Sequence, residues 1–172
     1  MPKSYEEWMK RREKVFVVMR GLPGSGKSTR VDEVLAEFGV SRDHVFSTDD
    51  FWTQDGGDYL LKFDPMKLEE AHAWNFDRVK QVLDEGLHPV VLDNTNAKKV
   101  WYRGYVEHAQ ACGYEVRMEE PNSPWWRAYR VYLRPANKML EKIEQFATIL
   151  FEKNTHGVPL ESIMSMAVAW ED

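Results

Sequence analysis

The sequence predicts an α/β fold with a mostly parallel sheet of about four to five strands and helices on both faces. Three observations lead to this prediction. Short apolar runs alternate with segments of helical period, a glycine-rich stretch follows the first apolar run, and polar clusters follow the first three runs. Strands joined by helical crossovers run parallel, and their helices cover the sheet on both sides. The 172 residues suit one domain with its own core.

The first half of the chain supplies two strands. Residues 4–14 begin with a capping box and are predicted as an N-terminal helical appendage. The apolar run 15–19 is the predicted first strand, and residues 29–38 form a helix because a glycine directly after them ends the helical period. A short strand is expected at 44–47, and paired glycines predict a loop at 54–59.

The second half continues the alternation. Residues 65–85 are predicted as a long helix ended by a glycine, 88–92 as a strand, 97–111 as a helix and 114–119 as a strand. Residues 125–153 have helical character, with a break expected only at Pro135. A turn at 154–159 and a last helix at 160–170 complete the prediction.

The glycine-rich stretch GLPGSGKST, residues 21–29, fits the pattern G-x-x-x-x-G-K-[ST] of a phosphate-binding loop, and we call it the phosphate loop. Glycines let successive backbone N–H groups point at anionic oxygens, and the helix that follows adds its positive end. A simple strand-to-helix turn would leave the lysine and the hydroxyl unexplained. Lys27 is expected to reach the β- and γ-phosphates, and Ser28 to hold Mg²⁺. The residues expected to bind a nucleoside triphosphate, with ATP as the expected donor, are Gly21, Pro23, Gly24, Ser25, Gly26, Lys27, Ser28 and Thr29.

Two carboxylates follow the second predicted strand. Phosphoryl transfer needs a base for the attacking hydroxyl, and Asp49 is predicted to be that base. Asp50 is expected to fix the loop or to hold metal-bound water. The alternative for this pair is a helix cap before Phe51.

The polar cluster after the third strand is expected at the same edge of the sheet. Asp93 is predicted to hold magnesium-bound water or to orient Asp49, with a structural turn as the alternative. Contact with the acceptor or closure of the turn is expected for Asn94, Thr95 and Asn96. On the long helix, substrate contact and a solvated face both remain open for His72, Asn75 and Arg78.

Composition limits the function classes. A net charge of −5 argues against a protein that wraps duplex nucleic acid by charge alone, so nucleic-acid contact must be local. One such site is the segment 125–142, where basic and aromatic residues alternate, although an amphipathic helix explains the same pattern. The single cysteine, Cys112, excludes an internal disulfide and is expected to be a buried apolar side chain with no role. Together with the lack of a long apolar stretch, this predicts a cytoplasmic or nuclear protein without a membrane partner.

Five motifs in order carry a family resemblance: GLPGSGKST, FSTDDFW, VVLDNTN, EPNSPWW and EKNTHGVPLESI. Over residues 16–166 the chain resembles the polynucleotide 5′-kinase-like P-loop family. That family includes phage-type polynucleotide kinases and the P-loop domain attached to cyclic-nucleotide phosphodiesterases. The resemblance implies a three-layer P-loop kinase fold with a helical lid, here residues 125–158. It also implies ATP- and Mg²⁺-dependent transfer to the 5′-hydroxyl of RNA or DNA, with a single-stranded 5′ end as partner and Asp49 as general base.

The chain departs from this family at two places. Trp52 stands where phage-type members have an arginine that grips the acceptor phosphate, and it could stack on a base or simply pack. In the lid, Lys153 and His156 stand in a segment that resembles R-N-x-x-R in those kinases, and lysine does not reproduce bidentate arginine geometry. Arg130 or Arg134 could take the place of the missing lid arginine.

Three functions follow from these patterns. The first is a polynucleotide 5′-hydroxyl kinase. The second is a kinase of a nucleoside or another small metabolite. The third is a nucleotide-binding module with little turnover, which the departures at Trp52 and Lys153 favour.

Overall fold

A computed structural model describes residues 13–172 of the chain. Within this part, a four-stranded sheet has the order β2-β3-β1-β4, and every neighbouring pair is parallel. The predicted fold class is therefore confirmed. The strands are β1 (Val15–Met19), β2 (Val45–Phe46), β3 (Val90–Asp93) and β4 (Glu115–Glu119).

Helices connect and flank the strands. The α-helices are α1 (Lys27–Phe38), α2 (Asp50–Thr53), α3 (Tyr59–Lys62), α4 (Leu68–Glu85), α5 (Lys99–Ala111), α6 (Pro124–Tyr129), α7 (Leu140–Lys153) and α8 (Leu160–Ala169). Short 3₁₀ turns lie at Arg42–His44, Pro65–Lys67, Arg130–Leu133 and Pro135–Asn137.

Alternation along β1 explains the layers of the fold. Phe16 and Val18 face a cluster built with α4 and α5, whereas Val17 and Met19 face a cluster built with α1. Successive strand residues point to opposite faces, so an apolar strand buried on both sides needs a helical layer on each. A third cluster joins α6, α7 and α8 through residues that include Trp126, Phe146, Leu150, Ile163 and Trp170.

Some predicted boundaries are confirmed and others are wrong. Gly39 and Gly86 end α1 and α4 in the left-handed conformation, as predicted. The segment 125–153 is not a helix with one break, because α6 already ends at Tyr129 and two 3₁₀ turns precede α7. Residue 134 is extended, with φ −64° and ψ 135°, as a residue before proline must be.

The loop predicted at 54–59 is shorter than expected, because α2 and α3 flank it closely. The helix predicted at 4–14 lies outside the described residues, apart from Glu13 and Lys14, which are not helical. Cys112 is only partly buried, and its thiol donates to Asp84, so the expectation of a buried apolar side chain is wrong. None of the helices between residues 13 and 172 has the length and apolar character needed to cross a membrane.

Candidate active site

The phosphate loop turns sharply between β1 and α1. Gly24 and Gly26 have φ of 78° and 88°, in the left-handed region that favours glycine. The Arg30 N–H donates to the Gly26 carbonyl at 3.2 Å and makes the first hydrogen bond of α1. The preceding N–H groups of α1, on Lys27 and its two successors, therefore point out of the helix start. These groups and the positive helix end form an anion-binding site.

The start of α6, with its cap residue, and the last part of α7 hold the phosphate loop in place. Trp125 Nε1 donates to the Gly24 carbonyl at 2.9 Å, and Ser123 Oγ donates to the Ser25 carbonyl at 2.7 Å. A Cβ atom at Gly24 would lie 2.0 Å from the Leu150 carbonyl oxygen. This close approach of α7 requires glycine, so the lid segment and the phosphate loop form one packed unit.

The donor groups of the loop fit a triphosphate with a hard cation. Ser25 Oγ is buried and has no hydrogen-bond partner among the described residues. A hydroxyl without a partner inside an anion-binding loop is suited to a ligand oxygen. The Ser28 hydroxyl is exposed at the start of α1, and Asp93 adds a carboxylate nearby. Hydroxyl and carboxylate oxygens are the ligands that Mg²⁺ prefers, so the predicted metal residues fit that ion.

Lys27 and Asp93 form the central ion pair of the site. Lys27 Nζ donates to Asp93 Oδ1 at 2.6 Å, and the two side chains are 19% and 16% exposed. Met19 at the end of β1 pairs in register with Asp93 at the end of β3, which brings the loop lysine and the carboxylate to one edge of the sheet. The polar residues that follow β1 and end β3 therefore meet at one edge of the sheet, as predicted.

Asp49 lies between β2 and α2. Within the described residues its side chain makes no capping hydrogen bond to α2, so the helix-cap alternative has no support. Asp49 is an exposed residue, yet desolvation of its carboxyl by the surrounding protein is the largest influence on the pKa and raises it. The charges of Lys27 and His156 lower the pKa, whereas Asp93 and Asp50 raise it. Asp49 thus lies within electrostatic reach of both the phosphate loop and the lid.

Two further side chains, Tyr59 and His72, lie within electrostatic reach of Asp49. Burial raises the pKa of Tyr59 to about 12, and the Asp49 charge adds to the rise. Burial lowers the pKa of His72, against the Asp49 charge, and its Nδ1 lies 3.3 Å from Thr48 Oγ1. The lid turn reaches the same region, because a Cβ at Gly157 would lie 3.2 Å from Leu60 of α3. Tyr59 was not predicted, since it falls in a segment whose glycines indicated only a loop.

Asp50 and Arg78 fix the loop that carries Asp49. The Ser47 N–H donates to Asp50 Oδ2 at 3.2 Å, and Arg78 donates to both Asp50 and the Ser47 carbonyl. Arg78 also donates to Asn75 Oδ1 at 2.8 Å, and Asn75 is fully buried. This geometry favours the loop-fixing alternative for Asp50. Substrate contact by Asn75 and Arg78 is not supported.

The polar cluster after β3 contacts the ends of neighbouring strands. Asn94 Oδ1 accepts from the Thr48 N–H at 2.9 Å, and the Thr95 carbonyl accepts from the Gly21 N–H at 3.1 Å. Asn96 is 2% exposed, has φ of 51° and donates to the Met19 carbonyl at 2.8 Å. Contact between Asn96 and an acceptor is therefore contradicted. For the partly exposed Asn94 and Thr95 side chains, contact with an acceptor stays a prediction.

The structure also corrects two predicted substrate contacts. Trp52 is 3% exposed and packs edge-to-face on Phe51 and Phe63, so its ring is not available for stacking on a base. Arg130 pairs with Glu120 and Asp172 and lies over the Trp170 ring, so it does not replace a lid arginine. Both side chains make structural packing contacts. A short sequence motif does not reveal such contacts.

The remaining lid candidates differ in placement. Lys153 Nζ lies 4.0 Å from the centroid of the Trp125 ring, directly beside the phosphate loop. His156 is exposed in the lid turn and lies within electrostatic reach of Asp49. Arg134 is exposed between the two 3₁₀ turns. Lys153 and His156 are therefore the lid cations that the structure brings to the cleft.

A cavity of about 290 Å³ opens beside α2. Its lining includes Phe51, Trp52, Lys62 and Lys67, together with Asp55 and Asp64. Lys62 pairs with Asp55. The cavity therefore combines aromatic side chains with both cationic and acidic groups.

Comparison with known proteins agrees with this geometry. Residues 16–131 match the AAA_33 family model, which describes an AAA domain. NEDD4-binding protein 2 of Homo sapiens is 34% identical over 152 residues, covering 88% of this chain and 7% of that protein. YLP motif-containing protein 1 of Rattus norvegicus is 28% identical over 181 residues, covering 94% of this chain and 12% of the relative.

A third relative is 2′,3′-cyclic-nucleotide 3′-phosphodiesterase of Rattus norvegicus, 29% identical over 120 residues, which covers 65% of this chain and 25% of that protein. The chain therefore spans a quarter or less of the length of these three relatives.

Two solved structures resemble the fold. The Pnkp1/Rnl/Hen1 complex has a TM-score of 0.50 at 21% identity, covering 69% of this chain and 38% of that one. The PezAT toxin-antitoxin system of Streptococcus pneumoniae has a TM-score of 0.50 at 15% identity, covering 82% and 63%. At these identities the likeness concerns the fold, and it agrees with a P-loop kinase-like architecture.

Proposed function

The chain belongs to the AAA_33 family of AAA domains, and from this membership and the cleft geometry we propose that it phosphorylates the 5′-hydroxyl of a single-stranded polynucleotide. The family and the fold support nucleotide-dependent phosphoryl transfer in general. Folds of this kind generally use ATP and Mg²⁺. Our proposal adds that the acceptor is a polynucleotide.

On the donor side, the chain supplies cations and N–H groups. The N–H groups at the start of α1 bind the phosphate oxygens, and Lys27 exchanges its contact with Asp93 for the β- and γ-phosphates. Ser28 and Asp93 are the residues that would hold Mg²⁺, which when bound neutralises charge on the transferred group. Lys153 adds positive charge from the lid, beside the phosphate loop.

The observation that carries the proposal is the position of Asp49 directly after β2, within electrostatic reach of Lys27 in the phosphate loop. In the proposed reaction, the acceptor oxygen bonds to the γ-phosphorus, the bond to the bridging oxygen breaks, and ADP leaves. Asp49 accepts the hydroxyl proton. A raised pKa makes the ionised carboxyl a stronger base, provided that the working pH lies above that pKa.

The acceptor side supports a nucleotide more than a small neutral metabolite. The cavity beside α2 joins the partly exposed Phe51 ring to the exposed Lys67, and such groups contact bases and phosphates. One relative of the chain is named for an action on cyclic nucleotides. RNA and DNA ends both present the required hydroxyl, so both belong in the test.

The test is transfer of labelled γ-phosphate from ATP with Mg²⁺ to 5′-hydroxyl RNA and DNA oligonucleotides, beside nucleosides and sugars. We expect oligonucleotide labelling that falls at least about a hundredfold in Asp49→Asn and in Lys27→Ala. Asp77→Asn, an exposed acid on α4, is the matched control and should leave the rate unchanged. Labelling of small acceptors alone, or labelling that survives both substitutions, would contradict the proposal.

A second candidate, a nucleotide-binding module with little turnover, rests on one specific observation. At the two departures from the family pattern, the chain has Trp52 and Lys153 in place of arginine. Trp52 is buried, and Lys153 Nζ lies over the Trp125 ring. A missing arginine can lower phosphoryl transfer by orders of magnitude. Calorimetric binding of Mg²⁺-ATP without transfer to any acceptor in the panel identifies this function.

A further inference from the structure

Three different metal-ligating side chains meet where α4 and α5 end. Asp84 lies in the last turn of α4, His108 lies in the last turn of α5, and Cys112 follows that helix as its cap residue. These ends lead into β3 and β4, so the cluster lies toward the amino ends of the strands. The phosphate loop follows the carboxyl end of β1, at the other edge of the sheet.

The ligand atoms are already close together. His108 Nε2 lies 2.7 Å from Asp84 Oδ1, and Cys112 Sγ lies 3.4 Å from the same oxygen. All three ligand atoms lie within 4.8 Å of one another. His108 and Cys112 are four residues apart, which places them on one side of α5 facing α4. Tetrahedral zinc ligation needs about 3.3–3.8 Å between ligand atoms, so small side-chain shifts suffice.

We propose that Asp84, His108 and Cys112 bind one zinc ion, with water as the fourth ligand. The set joins one carboxylate oxygen, one imidazole nitrogen and one thiolate sulfur, and zinc accepts all three. Magnesium and calcium select oxygen ligands, so a site with sulfur and nitrogen discriminates against them.

The surroundings permit entry of an ion. Asp84 is exposed, and His108 and Cys112 are partly buried, so solvent reaches the fourth position. Cysteine binds zinc as the thiolate, so binding of the ion would release the proton of the Cys112 thiol.

Zinc at this place links the ends of two helices and stabilises the fold without entering the phosphate chemistry. The inference is therefore independent of the proposed kinase activity. It also gives a reason for three ligating side chains that the proposed active site does not use.

The experiment titrates metal-free protein with Co²⁺ in the presence of excess Mg²⁺, and Zn²⁺ then competes. We expect one ion per chain, a thiolate-to-cobalt charge-transfer band, and loss of that band on addition of zinc. Cys112→Ser should abolish the band, and Asp84→Asn and His108→Gln should each weaken binding at least about tenfold. Zinc should raise the thermal midpoint of the native protein and not that of Cys112→Ser.

Glu107→Gln, an exposed neighbour on α5, is the control and should bind cobalt as the native chain does. If Cys112→Ser does not fold, the Asp84 and His108 variants decide the question. Absence of a thiolate band in the native protein overturns the proposal. Cobalt affinity equal to that of the native protein in both the Asp84 and the His108 variant also overturns it. The cluster would then be a hydrogen-bonded contact between two helices.

Discussion

Burial of the Asp49 carboxyl opposes the stability of the fold. Its pKa is raised above the ordinary 3.8, so the folded state disfavours the ionised form. The favourable contribution of this group is complete at low pH and is lost as pH rises through the raised pKa. Function needs the ionised form, because only the carboxylate accepts a proton. The same setting therefore strengthens a base and weakens the fold.

Asp49→Asn should accordingly stabilise the protein near pH 7 while abolishing transfer. The reason is that a neutral amide has no ionisation to oppose desolvation. Urea unfolding of both proteins from pH 3 to pH 8 measures the effect. The stability difference should close as pH falls below the ordinary carboxyl range, and the native transfer rate should fall as pH drops through the raised pKa. A less stable variant at pH 7 would contradict this view.

Lys27 and Asp93 should show a measurable coupling in the absence of nucleotide. Their short contact is mostly shielded from water, and each removed partner leaves the other charge without compensation. A double-mutant cycle with Lys27→Met and Asp93→Asn should give about 1–2 kcal/mol in urea unfolding. The exposed pair of Arg42 and Asp32 is the control and should give under about 1 kcal/mol. Equal values would show that the site pair is no stronger than a surface pair.

At the scale of elements, the contact between the phosphate loop and α7 unites donor site and lid. Gly24 supplies it, because its missing side chain lets the Leu150 carbonyl approach the loop. Trp125 donates from its indole N–H to the Gly24 carbonyl, and Lys153 Nζ lies over its ring. A change in the loop should therefore reach the lid without touching bound nucleotide.

Gly24→Ala tests this coupling of elements. The added Cβ would overlap the α7 backbone, so we expect a loss of about 3 kcal/mol in unfolding free energy and at least tenfold weaker nucleotide binding. Gly39→Ala is matched, because Gly39 also has positive φ but no described atom within 4 Å of its Cβ position. The control should lose only about 1 kcal/mol. Similar losses in both variants would mean that backbone strain, and not the contact, decides the result.

At the scale of the whole molecule, Arg20 connects the sheet to the C-terminal helices. Its guanidinium donates to the Asn96 and Ala97 carbonyls at 2.9 and 3.3 Å, and also to the Glu171 carbonyl. The same group lies 4.4 Å from the Trp170 ring centroid. The end of β1, the turn after β3 and the end of the chain are therefore held by one buried side chain.

Replacement of Arg20 by methionine should cost about 3 kcal/mol of unfolding free energy. Methionine fills similar space but removes the donor of the buried Asn96 carbonyl, whereas the Ala97 carbonyl keeps the Glu171 N–H. Arg103→Met, at an exposed position of α5, should change stability by less than about 0.5 kcal/mol. Denaturant unfolding followed by tryptophan fluorescence provides the measurement, and a loss below 1 kcal/mol for Arg20→Met would contradict the role assigned to it.

Much of the fold was determined by local sequence. Alternation of apolar runs and helical periods gave the parallel sheet, since the period of 2 or 3.6 fixes each element's buried face. Glycines at 39 and 86 marked helix ends because their left-handed conformation is a local property. The phosphate loop was equally local, as its glycines, lysine and hydroxyl act through their own backbone.

Only the tertiary structure decided which of the remaining polar and aromatic residues are free to act. Trp52, Asn96 and Arg130 have the chemistry of a site, yet each is used by other contacts. Trp52 is buried against Phe63, Asn96 donates to the Met19 carbonyl, and Arg130 pairs with Asp172. Tyr59 and the ligand cluster around Cys112 gave no local signal, because their neighbours come from other helices. Side-chain type is fixed by sequence, whereas availability depends on burial and partners, which long-range packing alone determines.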